Sequence, residues 1–187
     1  MNVGDENMDI INIIDKNIEL MIRRDALKNT IDNSKRYHFY AKIEGDIAFN
    51  AGNYQLENAY NNSSRYHVST QEAAEKELAQ VEQLLEFAKQ KYNEAIQSLD
   101  VFQLKEAYTT MSVRKTDIER KISDLSCRRS WAISMGDTAF NNHNFEEEQN
   151  YNRISSDCHV EIEKNSELLR FYEMIIKDLN NHMGRTR

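Results

Sequence analysis

The chain has 187 residues, with 31 acidic side chains against 24 basic ones for a formal net charge of −7, and it contains no proline. That length holds one ordinary domain or two very small ones, and the missing proline argues against a loop-rich β-sandwich or a Pro-rich linker. A mean hydropathy of −0.77 and short apolar runs argue against a membrane-spanning helix, and the acidic balance disfavours a broad phosphate-binding surface.

The amino terminus, Met1-Asn2-Val3-Gly4-Asp5-Glu6, is acidic, and the apolar positions after it are broken by Asn12 and Asp15. No secretory signal peptide is expected there. The default compartment is the cytoplasm, although a chain exported without a cleaved signal has the same pattern. From this start Ile11, Ile14, Ile18, Met21, Ile22 and Ile31 recur at helical spacing, and the pattern continues through Ala41, Ala48 and Phe49. It stops at Ala51-Gly52-Asn53, where glycine supplies a left-handed residue and Asn53 caps a second helix opening at Tyr54. Ser69 with Glu72 has capping-box spacing, so a break near 67–69 is expected in this arm. Ala74, Leu78, Val81, Leu85, Ala88 and Tyr92 then form one stripe that ends near Ser98.

Asp100 with Gln103 is a second capping box and opens a third helix whose stripe is Leu104, Tyr108, Met111, Ile118, Ile122, Leu125, Trp131 and Met135. The next turn is Asn142-His143-Asn144. Glu146, Glu147 and Glu148 follow it on the positive end of the helix dipole. The last stripe, Ile154, Ile162, Leu168, Leu169, Tyr172, Ile176 and Leu179, frays at Gly184.

The chain repeats itself. Shifted by 91 positions, residues 41–64 match 132–155 at 11 of 24 positions, including Gly45-Asp46-Ile47-Ala48-Phe49-Asn50 against Gly136-Asp137-Thr138-Ala139-Phe140-Asn141. Two copies are therefore expected, 1–99 and 100–187, each a long helical hairpin. The fold class is all-α, with the hairpins forming a four-helix bundle or a short solenoid as one compact unit.

Gly45, Ala48, Phe49, Gly52, Asn53 and Tyr54, and again Gly136, Ala139, Phe140, Asn144 and Phe145, resemble the middle of a tetratricopeptide repeat. The likeness spans about 15 residues per copy. It departs from the family at Glu57 and Glu148, where a small alanine belongs, and in its spacing of 91 against a family period of about 34. What the resemblance implies is a binding scaffold of the small acidic secretion-chaperone kind.

Chemistry-bearing constellations are sparse. A di-iron carboxylate bundle needs Glu-x-x-His twice, yet the residues three before the five histidines are Lys35, Ser64, Phe140, Ser156 and Leu179. Cys127, Cys158, His159 and Glu163 are too scattered a set to expect tetrahedral zinc. Arg128 and Arg129 follow Cys127, but sequence neighbours on a helix point apart, and no phosphate loop, GxSxG or HExxH occurs. No enzyme, cofactor or metal site is expected. Arg114, Lys121 and Arg128 fall seven apart as a basic strip, either for docking an acidic partner or nucleic acid, or lying beside the acidic last helix. The second arrangement is expected. Ten of the sixteen Tyr and Phe residues gather near the turns, and most are expected in the core. Those left outside would anchor another protein, from the set Tyr40, Phe49, Tyr54, Tyr60, Trp131, Phe140, Phe145 and Tyr151.

The function expected is a non-enzymatic helical interaction protein, an adaptor, chaperone or assembly subunit that takes a partner helix in a groove and self-associates, with a homodimer among its forms. The alternative is an exported effector or toxin component acting on membranes or host proteins. Nucleic acid is not an expected partner, and a membrane is one only for an exported chain.

Overall fold

The computed structural model describes the backbone of residues 3–185 and the side chains of residues 10–184. Met1-Asn2, which begin the acidic amino terminus, lie outside the described residues. Four helices follow one another: α1 (Val3–Asn50), α2 (Tyr54–Ser98), α3 (Val101–Asn141) and α4 (Phe145–Arg185). No strand occurs among the described residues, and no helix is long and apolar enough to cross a membrane. The chain is all-α, built of long helical hairpins.

Helix boundaries fall where the local chemistry puts them. Asp100 accepts from the Gln103 amide at 2.8 Å while the Gln103 side chain accepts from the Asp100 amide at 2.9 Å, a complete capping box at the start of α3. By contrast, Ser69 and Glu72 cap nothing. α2 runs unbroken from Tyr54 to Ser98, which corrects the break expected near 67–69. A capping side chain matters only where backbone amides are orphaned, and the continuous α2 ladder leaves none there. α4 likewise continues through Gly184 to Arg185.

The chain divides into two compact units, Met1–Ile14 with Asn93–Arg187, and Asp15–Tyr92. In the unit of residues 15–92, α1 and α2 run antiparallel. Asn17 Nδ2 donates to the Ala88 carbonyl at 3.1 Å, ion pairs join Arg23 to Glu77 and Lys28 to Glu82, and Ser64 Oγ meets His38 Nδ1 at 2.9 Å. The buried side of α1 is broad at Asn17, Ile18, Leu20 and Met21. Beyond Leu27 it thins to one line, Leu27, Ile31, Ser34, His38, Ala41, Gly45 and Ala48, at alternating steps of four and three. That is the seam of a two-stranded coiled coil.

The other unit buries Ile14, Met111 and Leu179 completely, with Ile10, Ile96, Leu104, Ala107, Phe171 and Ile175 nearly so. Each large apolar side chain removed from water contributes about 1.5–3 kcal/mol. α3 and α4 pair along their lengths, and towards their turn α3 thins to the same kind of seam, Arg129, Ala132, Gly136 and Ala139.

Candidate interaction surface

Each hairpin closes in the same way. Asn53 N–H donates to the Ala48 carbonyl and Gly52 N–H to that of Phe49, both at 2.9 Å. Asn144 donates to Ala139 and His143 to Phe140, again both at 2.9 Å. This pair of bonds is the Schellman closure, which needs one left-handed residue. Gly52 takes it at φ 69° and His143 at φ 58°. Each asparagine then caps the returning helix through its side chain, Asn53 Oδ1 accepting from Leu56 at 3.2 Å and Asn144 Oδ1 from Glu147 at 3.3 Å.

Below the turns the helices meet over small residues. A methyl group added at Gly45 would lie 3.6 Å from Tyr60 Cβ and 3.5 Å from Asn61 Oδ1, and one at Gly136 would meet Tyr151 and Asn152 at the same distances. Asn61 Nδ2 reaches Glu57 at 3.4 Å and Asn152 Nδ2 reaches Glu148 at 3.5 Å. The duplication written in the sequence is thus a duplication of geometry.

Aromatic residues do not fill this geometry, and the expectation that most of them are core is corrected. Phe49 and Tyr54 are 56% and 63% exposed, and Phe140 and Phe145 are each 55% exposed. The rings meet edge-on at each tip, Phe49 on Tyr54 at 6.2 Å and Phe140 on Phe145 at 6.4 Å. Tyr37, Phe39, Tyr40 and Tyr66 are also exposed, and Tyr40 touches only the edge of Phe39 among the described rings. Tyr60 and Tyr151 are half-buried against the glycines. Trp131, expected on the α3 core stripe, lies outside it with its ring edge-on to Tyr151 at 5.5 Å. The cause is the narrow seam: two small residues per heptad bring the backbones close and leave the neighbouring positions in water.

Of the basic strip, Lys121 acts by its charge on Glu161 of α4, and the neighbouring Lys115, outside the strip, is bound to α4 directly. Lys115 bridges Glu119 at 3.2 Å and Glu173 of α4 at 3.5 Å. Its amine is held above its ordinary value, first by the Glu119 hydrogen bond and charge and then by Glu173. Glu161 is held below the usual carboxylate value by Lys164 first, with a smaller pull from Lys121. Arg114 is half-buried, while Lys121 and Arg128 are exposed. Arg129 places a guanidinium on the seam, where its buried Nε finds no hydrogen-bond partner among the described residues.

Cys127 is exposed and Cys158 buried, and His159 pairs with Glu163 at 3.4 Å on the surface. Among the described residues no three His, Cys, Asp or Glu side chains gather at one point. An open groove of about 680 Å³ runs along α3 beside Phe102, Thr109 and Val113.

In comparisons with protein-family models, curated proteins and solved structures, nothing matches the chain. The class that the fold defines is an all-α protein of long helical hairpins with twice-repeated tips.

Proposed function

We propose that the chain is a non-enzymatic helical module for protein–protein interaction, an adaptor, chaperone or assembly subunit. The observation that carries it is the pair of exposed aromatic tips, Phe49 with Tyr54 and Phe140 with Phe145. Large rings half in water contribute little to the fold, and they are the side chains that dominate binding energy when a partner covers them. The resemblance of the tip sequences to the tetratricopeptide turn supports the same reading.

The test is retention of proteins from a native lysate on the immobilised chain, with a Phe49→Ser, Phe140→Ser variant beside it. A protein retained by the natural chain and released by the variant is the expected result. Retention of no protein at all overturns the proposal. Lysis of lipid vesicles by the purified chain would favour the exported-effector alternative instead.

A further inference from the structure

The eleven identities between the two copies sort by what the fold asks of them. Ala41, Gly45 and Ala48 with Ala132, Gly136 and Ala139 are seam positions, and Asn53 and Asn144 cap. Glu57 with Asn61 and Glu148 with Asn152 bond each other, Tyr60 and Tyr151 lie over the glycines, and Ser64 and Ser155 are half-buried. Three identities are left over: Asp46, Phe49 and Asn50, repeated as Asp137, Phe140 and Asn141. All six side chains are exposed.

Those three positions are spaced i, i+3 and i+4, so they share one helix face. Within the fold their side chains make only the edge-on contact of each phenylalanine with the ring that opens the next helix, among the interactions described. Neither aspartate has an ion-pair partner among the described residues, and each stands close to the negative end of its helix dipole, where a carboxylate is unfavourable. Exposed positions ordinarily tolerate substitution within about 0.5 kcal/mol. Thirteen of the 24 aligned positions have diverged around them.

The charge of the tips selects the partner. Residues 43–64 carry Glu44, Asp46 and Glu57, with Lys42 and Arg65 at their edges, and the aligned residues 134–155 carry Asp137, Glu146, Glu147 and Glu148 against Arg153, so both tips are net acidic. Such a surface repels phosphate backbones and anionic lipid headgroups. A carboxylate one helical turn from an exposed aromatic side chain is complementary to a guanidinium, which pairs with acids and stacks on rings. We infer that each tip is a docking site for an arginine-bearing, basic segment of a partner protein, held by Asp46 and Phe49 on one hairpin and by Asp137 and Phe140 on the other. Asn50 and Asn141, one turn after each aspartate, supply an exposed amide for the backbone of that segment. The inference rests on the interaction-module reading and names its partner's chemistry.

The experiment is fluorescence-anisotropy titration of the full chain with a labelled peptide of alternating arginine and glycine, and with its citrulline counterpart, which keeps the shape and loses the charge. The arginine peptide is expected to bind at least about tenfold more tightly than the citrulline one. The Asp46→Asn, Asp137→Asn pair and the Phe49→Leu, Phe140→Leu pair are each expected to weaken it about tenfold. Glu72→Gln with Glu86→Gln removes the same charge from exposed positions elsewhere and should leave binding unchanged; circular dichroism verifies that all the variants keep the fold. Equal binding of the two peptides, or equal losses in the tip and control variants, overturns the inference. So does tip-dependent adsorption to neutral phosphatidylcholine vesicles, which would turn the rings towards lipid. A chain that retains a lysate protein yet ignores the arginine peptide overturns this inference alone and leaves the interaction module standing.

Discussion

His143 occupies the left-handed position that Gly52 fills in the other hairpin, at φ 58° against 69°. A side chain with a Cβ is strained there by roughly 1–2 kcal/mol relative to glycine. His143→Gly should therefore raise stability by about 1 kcal/mol, and Gly52→Ala should lower it by a similar amount, both read from chemical denaturation. The seam glycines behave in the opposite way. A methyl group at Gly45 or Gly136 meets its neighbours at 3.5–3.6 Å, an ordinary contact. Gly45→Ala and Gly136→Ala should each stabilise by about 0.5–1 kcal/mol through helix propensity. The turns were legible in the sequence at this scale, because Asn53, Asn144 and the Asp100–Gln103 pair are short-range devices whose partners lie within five residues. Ser69 and Glu72 have the same spacing without an orphaned amide to serve, because α2 is continuous there.

Along each element, the quantity hidden from periodicity was the width of the buried stripe. Heptad spacing through Ala41, Gly45 and Ala48 marks a seam, but spacing alone does not say that close backbones leave Tyr40, Phe49 and Trp131 outside it. The small size of the seam residues was the available signal. Ala41→Leu or Ala132→Leu forces the backbones apart and should cost about 1–3 kcal/mol. Arg129 stands at the position equivalent to His38, with a buried Nε lacking a partner among the described residues. Arg129→Met keeps the apolar stem and removes the donor, so a gain of about 1 kcal/mol is expected in the same assay. The α3–α4 charges set a pH signature. Lys115 is raised by Glu119 and Glu173, so the stability it supplies is complete at neutral pH and disappears as pH climbs through its raised value. Glu161 is lowered chiefly by Lys164, so its share is present at neutral pH and is lost as pH falls through its lowered value. Lys115→Met should flatten the alkaline limb of a melting-temperature profile and leave the acid limb in place.

For the molecule as a whole, all-α pairing of long hairpins followed from the duplication and the helical periodicity, since no other period competes. The division of the chain was less legible. The unit that contains α3 and α4 also takes in the start of α1 and the end of α2, where Ile14, Ile96, Met111 and Leu179 are almost wholly removed from water. Which apolar stripes meet depends on long-range packing that local patterns do not encode. Amide hydrogen exchange should find the slowest sites of this unit around Met111 and Leu179, and the fastest helical ones near Phe140 and Phe145, where few apolar groups are covered.

What unites these scales is that one device, a Schellman-closed tip carrying an exposed Asp-x-x-Phe-Asn face, occurs twice in one chain. Calorimetric titration with the arginine peptide counts the device directly. Two equivalent sites per chain are predicted, reduced to one by Asp46→Asn with Phe49→Leu or by Asp137→Asn with Phe140→Leu, and to none by all four together. A single site in the natural chain, or two sites indifferent to these four residues, would contradict the account.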